Sequence, residues 1–158
     1  MAALHWNFGD LLDGIEAALP PDAPALAHGD RVVSWGALRR RSNALAAALR
    51  SRGAAPGDRV GFYLRNAPEY LETLVACAKA RLVHVNVNYR YLDDELAYIV
   101  ENSDARFVVF GGEFAERAAR VRSRLPGVVS WIETGVEAEP FAERYEELLA
   151  EASGEPLG

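Results

Sequence analysis

Apolar and polar positions alternate along this chain between short continuous runs and longer stripes at helical spacing. Residues 24–35 hold two extended stretches, Pro24-Ala25-Leu26-Ala27 and Val32-Val33-Ser34. The turn-forming His28-Gly29-Asp30 between them predicts a small β-hairpin. Ser34 suits a helix N-cap, and Leu38, Ser42, Leu45 and Leu49 recur at helical spacing with Ala46 widening the stripe. Gly53 closes that helix as a C′ residue. Arg59-Val60-Gly61-Phe62-Tyr63-Leu64 is short, mostly apolar and β-prone, the pattern of a buried strand. Asn66-Ala67-Pro68-Glu69 has the form of a capping box with Pro in the first turn. The helix behind it is expected to turn Tyr70, Leu71, Leu74, Cys77 and Ala78 to one face.

The pattern then repeats. Val83-His84-Val85-Asn86-Val87 reads as a strand, and Asp93-Asp94-Glu95 opens a helix with Leu96, Ile99 and Val100 as its apolar stripe. Arg106-Phe107-Val108-Val109-Phe110 is a second buried-strand candidate. Gly111-Gly112 turns into a helix with Phe114, Ala118, Val121 and Leu125 inward. Val128-Val129-Ser130-Trp131-Ile132 is a further strand, and a last helix carries Phe141, Tyr145, Leu148 and Leu149. Strands alternating with helices predict an α/β fold with right-handed crossovers. Its largely parallel sheet carries helices on both faces, beside the small N-terminal β-hairpin. Residues 1–150 read as one α/β portion and residues 151–158, polar and Gly/Pro-bearing, as a linker.

Charge narrows the partners. Among the 158 residues, 23 are acidic and 17 basic, and the net charge of −6 argues against a general nucleic-acid binder. Lys79 is the only lysine. The one cysteine, Cys77, cannot form an internal disulfide, and no stretch approaches the roughly 20 apolar residues of a membrane span. The N-terminus lacks the basic start and apolar run of a signal peptide, so a cytoplasmic location is expected.

No catalytic constellation is visible: there is no Walker-type loop, no Gly-x-Gly-x-x-Gly fingerprint and no Cys/His spacing for zinc. Gly111-Gly112, between a strand and a helix, reads either as a phosphate cradle or as a plain turn. Glu113 and Glu116 favour the turn, since they bring negative charge to the place of a phosphate. Of His5, His28 and His84, the second suits an exposed turn and the third a packed or surface strand position. Cys77 reads as a buried thiol on an apolar helix face. Arg39-Arg40-Arg41 reads as a solvated helix face, with Arg41 flanking the apolar stripe. Asp93-Asp94-Glu95 is explained by helix-start electrostatics without metal. The segment Asn86-Val87-Asn88-Tyr89-Arg90-Tyr91 is different. It leaves a strand at its carboxyl end, where parallel α/β sheets gather ligands, and it is dense in hydrogen-bonding groups. Asn86, Asn88, Tyr89 and Arg90 are therefore the candidates for contacting substrate or organising the loop. In the loop-organising reading, Arg90 pairs with a carboxylate such as Asp93 or Asp94, or with a backbone carbonyl.

Several linked blocks resemble one family. They are the stretch from Ser34 through Gly53 to Pro56-Gly57-Asp58-Arg59-Val60, then Leu64-Arg65-Asn66-Ala67-Pro68-Glu69, and Ala78-Lys79-Ala80. Asn86-Val87-Asn88-Tyr89-Arg90-Tyr91, Glu95-Leu96-Ala97-Tyr98-Ile99 and Ser103-Asp104-Ala105-Arg106 follow in order. Together, over roughly residues 5 to 132, they resemble the adenylate-forming superfamily, and the Asn-Val-Asn-Tyr-Arg-Tyr form resembles its fatty-acyl-CoA synthetase branch. The chain departs from the family pattern at Arg81, where Gly is common, and at Leu92-Asp93, where Ser or Thr followed by Pro is usual. The family's phosphate loop, ribose-binding Asp, adenine-side motif and C-terminal catalytic Lys have no match in these residues.

The resemblance implies an amino-terminal portion of an AMP-forming ligase. In the intact enzyme a carboxylate attacks the α-phosphate of ATP, with Mg²⁺ offsetting phosphate charge, and CoA then displaces AMP. It implies carboxylic acid, ATP and CoA as small-molecule partners of the intact enzyme. It carries over no catalytic residue and implies no cofactor bound to these 158 residues, which are expected to be inactive alone. An aryl-acid ligase, a peptide-synthetase adenylation domain and a non-catalytic interaction module are the alternatives. An orphaned sheet edge and an apolar patch would favour self-association.

Overall fold

Residues 6–157 are described by the computed structural model of the chain. His5 and the first residues of the N-terminal stretch lie outside them. The order of elements is α1 (Phe8–Ala18), β1 (Pro24–His28), β2 (Arg31–Ser34), α2 (Trp35–Ser51), β3 (Arg59–Tyr63), α3 (Pro68–Lys79) and β4 (Val83–Asn86). Then follow α4 (Asp93–Asn102), β5 (Ala105–Gly111), α5 (Ala115–Val121), β6 (Ser130–Thr134), β7 (Glu143–Arg144) and α6 (Tyr145–Glu151). Single 3₁₀ turns, Gly112–Phe114 and Arg122–Arg124, flank α5.

β1 and β2 pair antiparallel as the predicted hairpin. The remaining five strands form one parallel sheet in the order β4-β3-β5-β6-β7. Period-two alternation divides its side chains between two faces. Val60, Phe62, Phe107, Val109 and Ile132 meet Leu45, Leu49, Cys77 and Leu148 from α2, α3 and α6. Tyr63, Val108, Phe110 and Trp131 meet Leu96, Val100, Ala118 and Val121 from α4 and α5. Each fully buried Leu, Ile or Phe contributes about 1.5–3 kcal/mol of transfer free energy, so these two apolar layers fix the sandwich.

Ser34 caps α2 as expected, its Oγ accepting from the Ala37 amide at 3.2 Å, and Gly53 leaves the helix at φ +85°. Four local expectations are corrected. The hydrophobic pattern assigned no element before residue 24, yet α1 is there. It is opened by a reciprocal cap in which Asn7 Oδ1 accepts from the Asp10 amide and Asp10 Oδ2 from the Asn7 amide, at 3.1 and 2.8 Å. The capping box expected at Asn66 is absent. Ala67 is the N-cap without a side-chain bond, and Pro68 starts the helix. The buried face of α3 is rotated, with Glu72, Thr73, Val75 and Ala76 inside while Leu71 is exposed. Finally, Phe141 precedes α6 rather than belonging to it, and β7 intervenes as a two-residue strand.

Polar side chains inside the helical layer explain the rotation of α3. Glu72 is fully buried and accepts from Arg41 Nε at 2.7 Å and from the Tyr145 hydroxyl at 2.9 Å. Arg41 also grips Glu146 through both terminal nitrogens, at 2.9 and 2.6 Å. It is therefore a bridge between α2, α3 and α6 rather than part of a solvated face. The hydrogen bonds that Arg41 donates to Glu146 raise the guanidinium's affinity for its proton, and the Glu146 carboxyl is lowered in turn by Arg41. Burial, followed by the adjacent Glu72, raises the Tyr145 phenol well above its ordinary value. The side chain of Lys79 is also buried. Its ammonium donates to Glu16 at 2.6 Å and Asn43 at 2.8 Å and lies 3.1 Å from Asp13, tying α1 to α2 and α3. Asn43 passes the connection on by donating to the Gly154 carbonyl at 3.0 Å. Gly154 lies within residues 151–158, the segment read as a linker.

Candidate functional site

The sheet order places a topological switch point between β3 and β5. The chain leaving β3 crosses one face through α3 to β4, whereas the chain leaving β5 crosses the opposite face through α5 to β6. At such a switch point the loops beyond two adjacent strands diverge and leave an opening at their carboxyl ends, the usual place for ligands in open α/β sheets. Leu64-Arg65-Asn66 leaves β3 on one side of this opening, and Gly111-Gly112-Glu113 leaves β5 on the other. The loop from β4 to α4, residues 87–92, brings Tyr89 alongside Arg65.

Arg65 is an exposed cation at the carboxyl end of β3, beside this opening. Its guanidinium carbon lies 4.8 Å from the centroid of the Tyr89 ring and 5.9 Å from that of Phe114, and its Nε is 3.6 Å from Glu113 Oε1. Aromatic faces attract and orient such a cation without neutralising it. Glu113 folds back over Gly111, where a Cβ would collide with its carboxylate, and a Cβ on Gly112 would lie 3.0 Å from the Thr134 carbonyl. Close approach to a backbone carbonyl thus accounts for Gly112, whereas a Cβ on Gly111 would meet only the movable end of Glu113, and the protein's own carboxylate covers the turn that could otherwise cradle a phosphate.

The four sequence candidates share one loop but differ in setting. Asn86 is the last residue of β4, opposite Phe62, and is exposed. Asn88 builds the turn: its Oδ1 accepts from the Arg90 amide and its carbonyl from the Tyr91 amide, both at 3.0 Å. Tyr89 is half-buried and turns its ring toward Arg65. Arg90 is exposed, with its guanidinium 5.7 Å from the same ring. The carboxylates considered as partners for Arg90 are engaged by α5 and the turn after it. Asp93 pairs with Arg120 at 2.7 Å and Arg117 at 3.4 Å, and Asp94 with Arg124 at 2.8 Å. The Arg120 hydrogen bond holds the Asp93 carboxyl below the usual range. Glu95 is used for capping and accepts from the Leu92 amide at 2.9 Å.

The contacts that hold this loop come from residues the sequence pattern did not single out. Arg117 donates from one nitrogen to the Tyr63 hydroxyl at 2.6 Å and to the Tyr91 carbonyl at 2.7 Å. The Tyr63 hydroxyl itself donates to that carbonyl at 3.0 Å. Tyr63 is fully buried at the end of β3. Only proximity in space joins Tyr63, Tyr91 and Arg117, so no local motif could have signalled them. Of the remaining chemistry-bearing residues, Cys77 is buried, and burial pushes its thiol well above the ordinary range, which suppresses nucleophilic reactivity. His28 is exposed at the end of β1, and His84 is exposed on β4 with its ring 5.6 Å from that of Phe62. Among the described residues no group of three or more His, Cys, Asp or Glu side chains is gathered to hold a metal, and no helix is long and apolar enough to cross a membrane. Asp93 and Asp94 are committed to arginines, which leaves them unsuited to hold Mg²⁺.

Residues 15–155 match the family described as AMP-binding enzyme, and the chain belongs to that family. A 3-oxocholest-4-en-26-oate–CoA ligase from Rhodococcus rhodochrous is 38% identical over 154 residues, covering 94% of this chain and 28% of the relative. A medium-chain acyl-CoA ligase, Mig, from Mycobacterium avium is 34% identical over 157 residues, covering 89% of this chain and 28% of the relative. The chain therefore spans about a quarter of the length of these relatives. Among solved structures, a protein from Rhodopseudomonas palustris assigned as a long-chain-fatty-acid CoA ligase superimposes with a TM-score of 0.86 at 29% identity, covering 99% of this chain and 39% of that one.

Proposed function

We propose that this chain is the amino-terminal portion of an AMP-forming acyl-CoA ligase acting on a fatty or related carboxylic acid. The carrying observation is the alignment of 94% of the chain with a CoA ligase at 38% identity. The crevice at the β3/β5 switch point supports the same reading. In the intact enzyme the substrate carboxylate attacks the α-phosphorus of ATP and pyrophosphate leaves. The CoA thiolate then attacks the acyl carbon and AMP leaves with the bonding electrons. Mg²⁺, when bound, would offset phosphate charge. This portion supplies one wall of the ligand space, with Asn86, Asn88, Tyr89 and Arg90 as the loop that shapes it. The partners are the acid, ATP and CoA, with no nucleic acid, and the location is cytoplasmic.

An aryl-acid substrate is the second reading, favoured by the 40% identity over 103 residues to a feruloyl-CoA synthase from an Amycolatopsis species. The test is pyrophosphate release and acyl-CoA formation by two proteins: the 158-residue chain and a longer polypeptide carrying it. The substrates are a medium-chain acid, a sterol side-chain acid and ferulate. Activity is expected from the longer protein alone, highest with the aliphatic acids. Activity with ferulate alone supports the second reading, and none with any acid from the longer protein refutes both. Turnover by the 158 residues would refute their role as an incomplete portion.

A further inference from the structure

We propose that Arg117 is the positioning residue of the crevice loop, setting residues 87–92 against the end of β3 through the Tyr63 hydroxyl. Where it concerns substrate affinity, the proposal rests on the ligase reading above. The loop has little to hold it from within. Asn88, Arg90 and Leu92 are exposed, and its internal bonds are the Asn88 turn and the Glu95 cap. Its first residue is fixed separately, since Val87 is buried and its amide donates to the Phe62 carbonyl at 3.0 Å, and Tyr89 and Tyr91 pack against the core; the polar restraint on its far end comes from α5. A single guanidinium nitrogen of Arg117 reaches both the carbonyl of Tyr91 and the phenol of Tyr63, 2.7 and 2.6 Å away. Its Nε faces Asp93, the first residue of α4, at 3.4 Å. Arg117 thereby joins four elements: the helix it belongs to, the end of β3, the loop and the start of α4. The Tyr63 ring packs on Phe114 at a centroid distance of 4.5 Å, and Phe114 in turn lies under Arg65. A change at Arg117 therefore reaches the ring pair that orients Arg65.

A charge-assisted bond that holds a partly exposed carbonyl governs local opening more than global stability. The chemistry also distinguishes arginine from lysine. An ammonium retains the charge toward Asp93 but lacks the rigid planar group that keeps one nitrogen on the carbonyl and phenol while Nε faces the carboxylate.

The experiment compares the wild-type 158-residue chain with Arg117→Gln, Arg117→Lys, Tyr63→Phe and the control Arg124→Gln, using amide hydrogen exchange resolved to residues 87–92 and to the β5 core. Arg117→Gln is expected to speed exchange at Arg90, Tyr91 and Leu92 by about tenfold or more. Arg117→Lys should recover part of that protection, Tyr63→Phe should give a smaller loss, and Arg124→Gln should leave the loop unchanged. Unchanged exchange in Arg117→Gln overturns the proposal. So does acceleration spread evenly over loop and core, which would mark a general loss of stability. In a longer polypeptide with ligase activity, Arg117→Gln is expected to raise the KM for at least one of ATP, CoA and the acid by about tenfold while kcat changes little. Three unchanged KM values would overturn the link to substrate. Absence of wild-type activity would count against the ligase reading and leave the exchange result standing.

Discussion

Replacing Lys79 by Met probes how a buried charge holds α1 to the rest of the fold. The side chain of Lys79 is 3% exposed and that of Glu16 is 1% exposed, and their charged atoms are 2.6 Å apart. One oxygen of Glu16 is already buried without a hydrogen-bond partner. Methionine fills a similar volume but removes the donor shared by Glu16 and Asn43 and the charge facing Asp13. Breaking a buried pair from one side leaves an uncompensated charge and costs about 3–5 kcal/mol. For a domain of this size that corresponds to a fall in Tm of roughly 6–20 °C, since each kcal/mol shifts Tm by about 2–4 °C. The cost is capped by the free energy with which α1 docks, because the chain can release the helix instead of burying the carboxylate. Urea denaturation followed by tryptophan fluorescence measures the global loss, and hydrogen exchange over residues 8–18 measures release of α1. The double variant Glu16→Leu/Lys79→Met, which removes both charges, should recover most of what Lys79→Met loses. A loss below about 0.5 kcal/mol with α1 still protected, or strict additivity in the double variant, would refute the reasoning.

Three further outcomes are expected. Arg81 occupies the left-handed region at φ 60° just after α3, and its ion pair with Asp10 at 3.6 Å is exposed. Arg81→Gly, which restores the residue common in the family, should therefore raise stability by about 0.5–1 kcal/mol, and an unchanged or lower Tm would contradict this. Arg41 holds the folded-state pKa of Glu146 below its unfolded value, so this contribution to stability is complete above the ordinary carboxylate range near pH 4 and is lost as pH falls through the depressed value. Tm measured from pH 7 down to pH 3 should decline less in Glu146→Gln than in wild type, and parallel curves would exclude the linkage. Phe8, Leu11 and Ile15 form an exposed apolar stripe on α1, so sedimentation should detect concentration-dependent association that Leu11→Glu/Ile15→Glu weakens; a strictly monomeric wild-type chain would disprove this.

The pattern along the chain was sufficient for much of the architecture because it reports local periodicity. Val60/Phe62 against Tyr63, and Phe107/Val109 against Val108/Phe110, alternate between two covered faces, and such runs belong inside a parallel sheet. The hairpin, the Ser34 cap and the Gly53 stop follow from turn and cap chemistry within a few residues. α1 was equally legible in Asn7, Asp10 and the spacing of Leu11, Leu12 and Ile15, but its outward face is the more apolar one, so its pattern does not resemble that of a core helix. The blocks of residues that resemble adenylate-forming enzymes likewise belong to the sequence alone, and they include residues 86–91, which carry the loop after β4.

What tertiary structure decided is where charges find partners across large separations. Nothing near Lys79 foretells a partner 63 residues away at Glu16, and nothing near Glu72 foretells Tyr145, 73 residues on. The apolar reading of α3 failed at Glu72 because a buried carboxylate is tolerable only when donors from two other helices converge on it, a condition that exists only once α2 and α6 are docked. The same reason makes Arg117, and not Arg90, the residue that holds the Tyr91 carbonyl. Sequence adjacency put Arg90 beside Asp93 and Asp94, but the packing of α5 against α4 delivers Arg117, Arg120 and Arg124 to those carboxylates and to the Tyr91 carbonyl, leaving Arg90 at the surface over Tyr89. Periodicity determines which face of an element is covered. The pairing of polar groups across elements depends on distances that arise only when those faces meet.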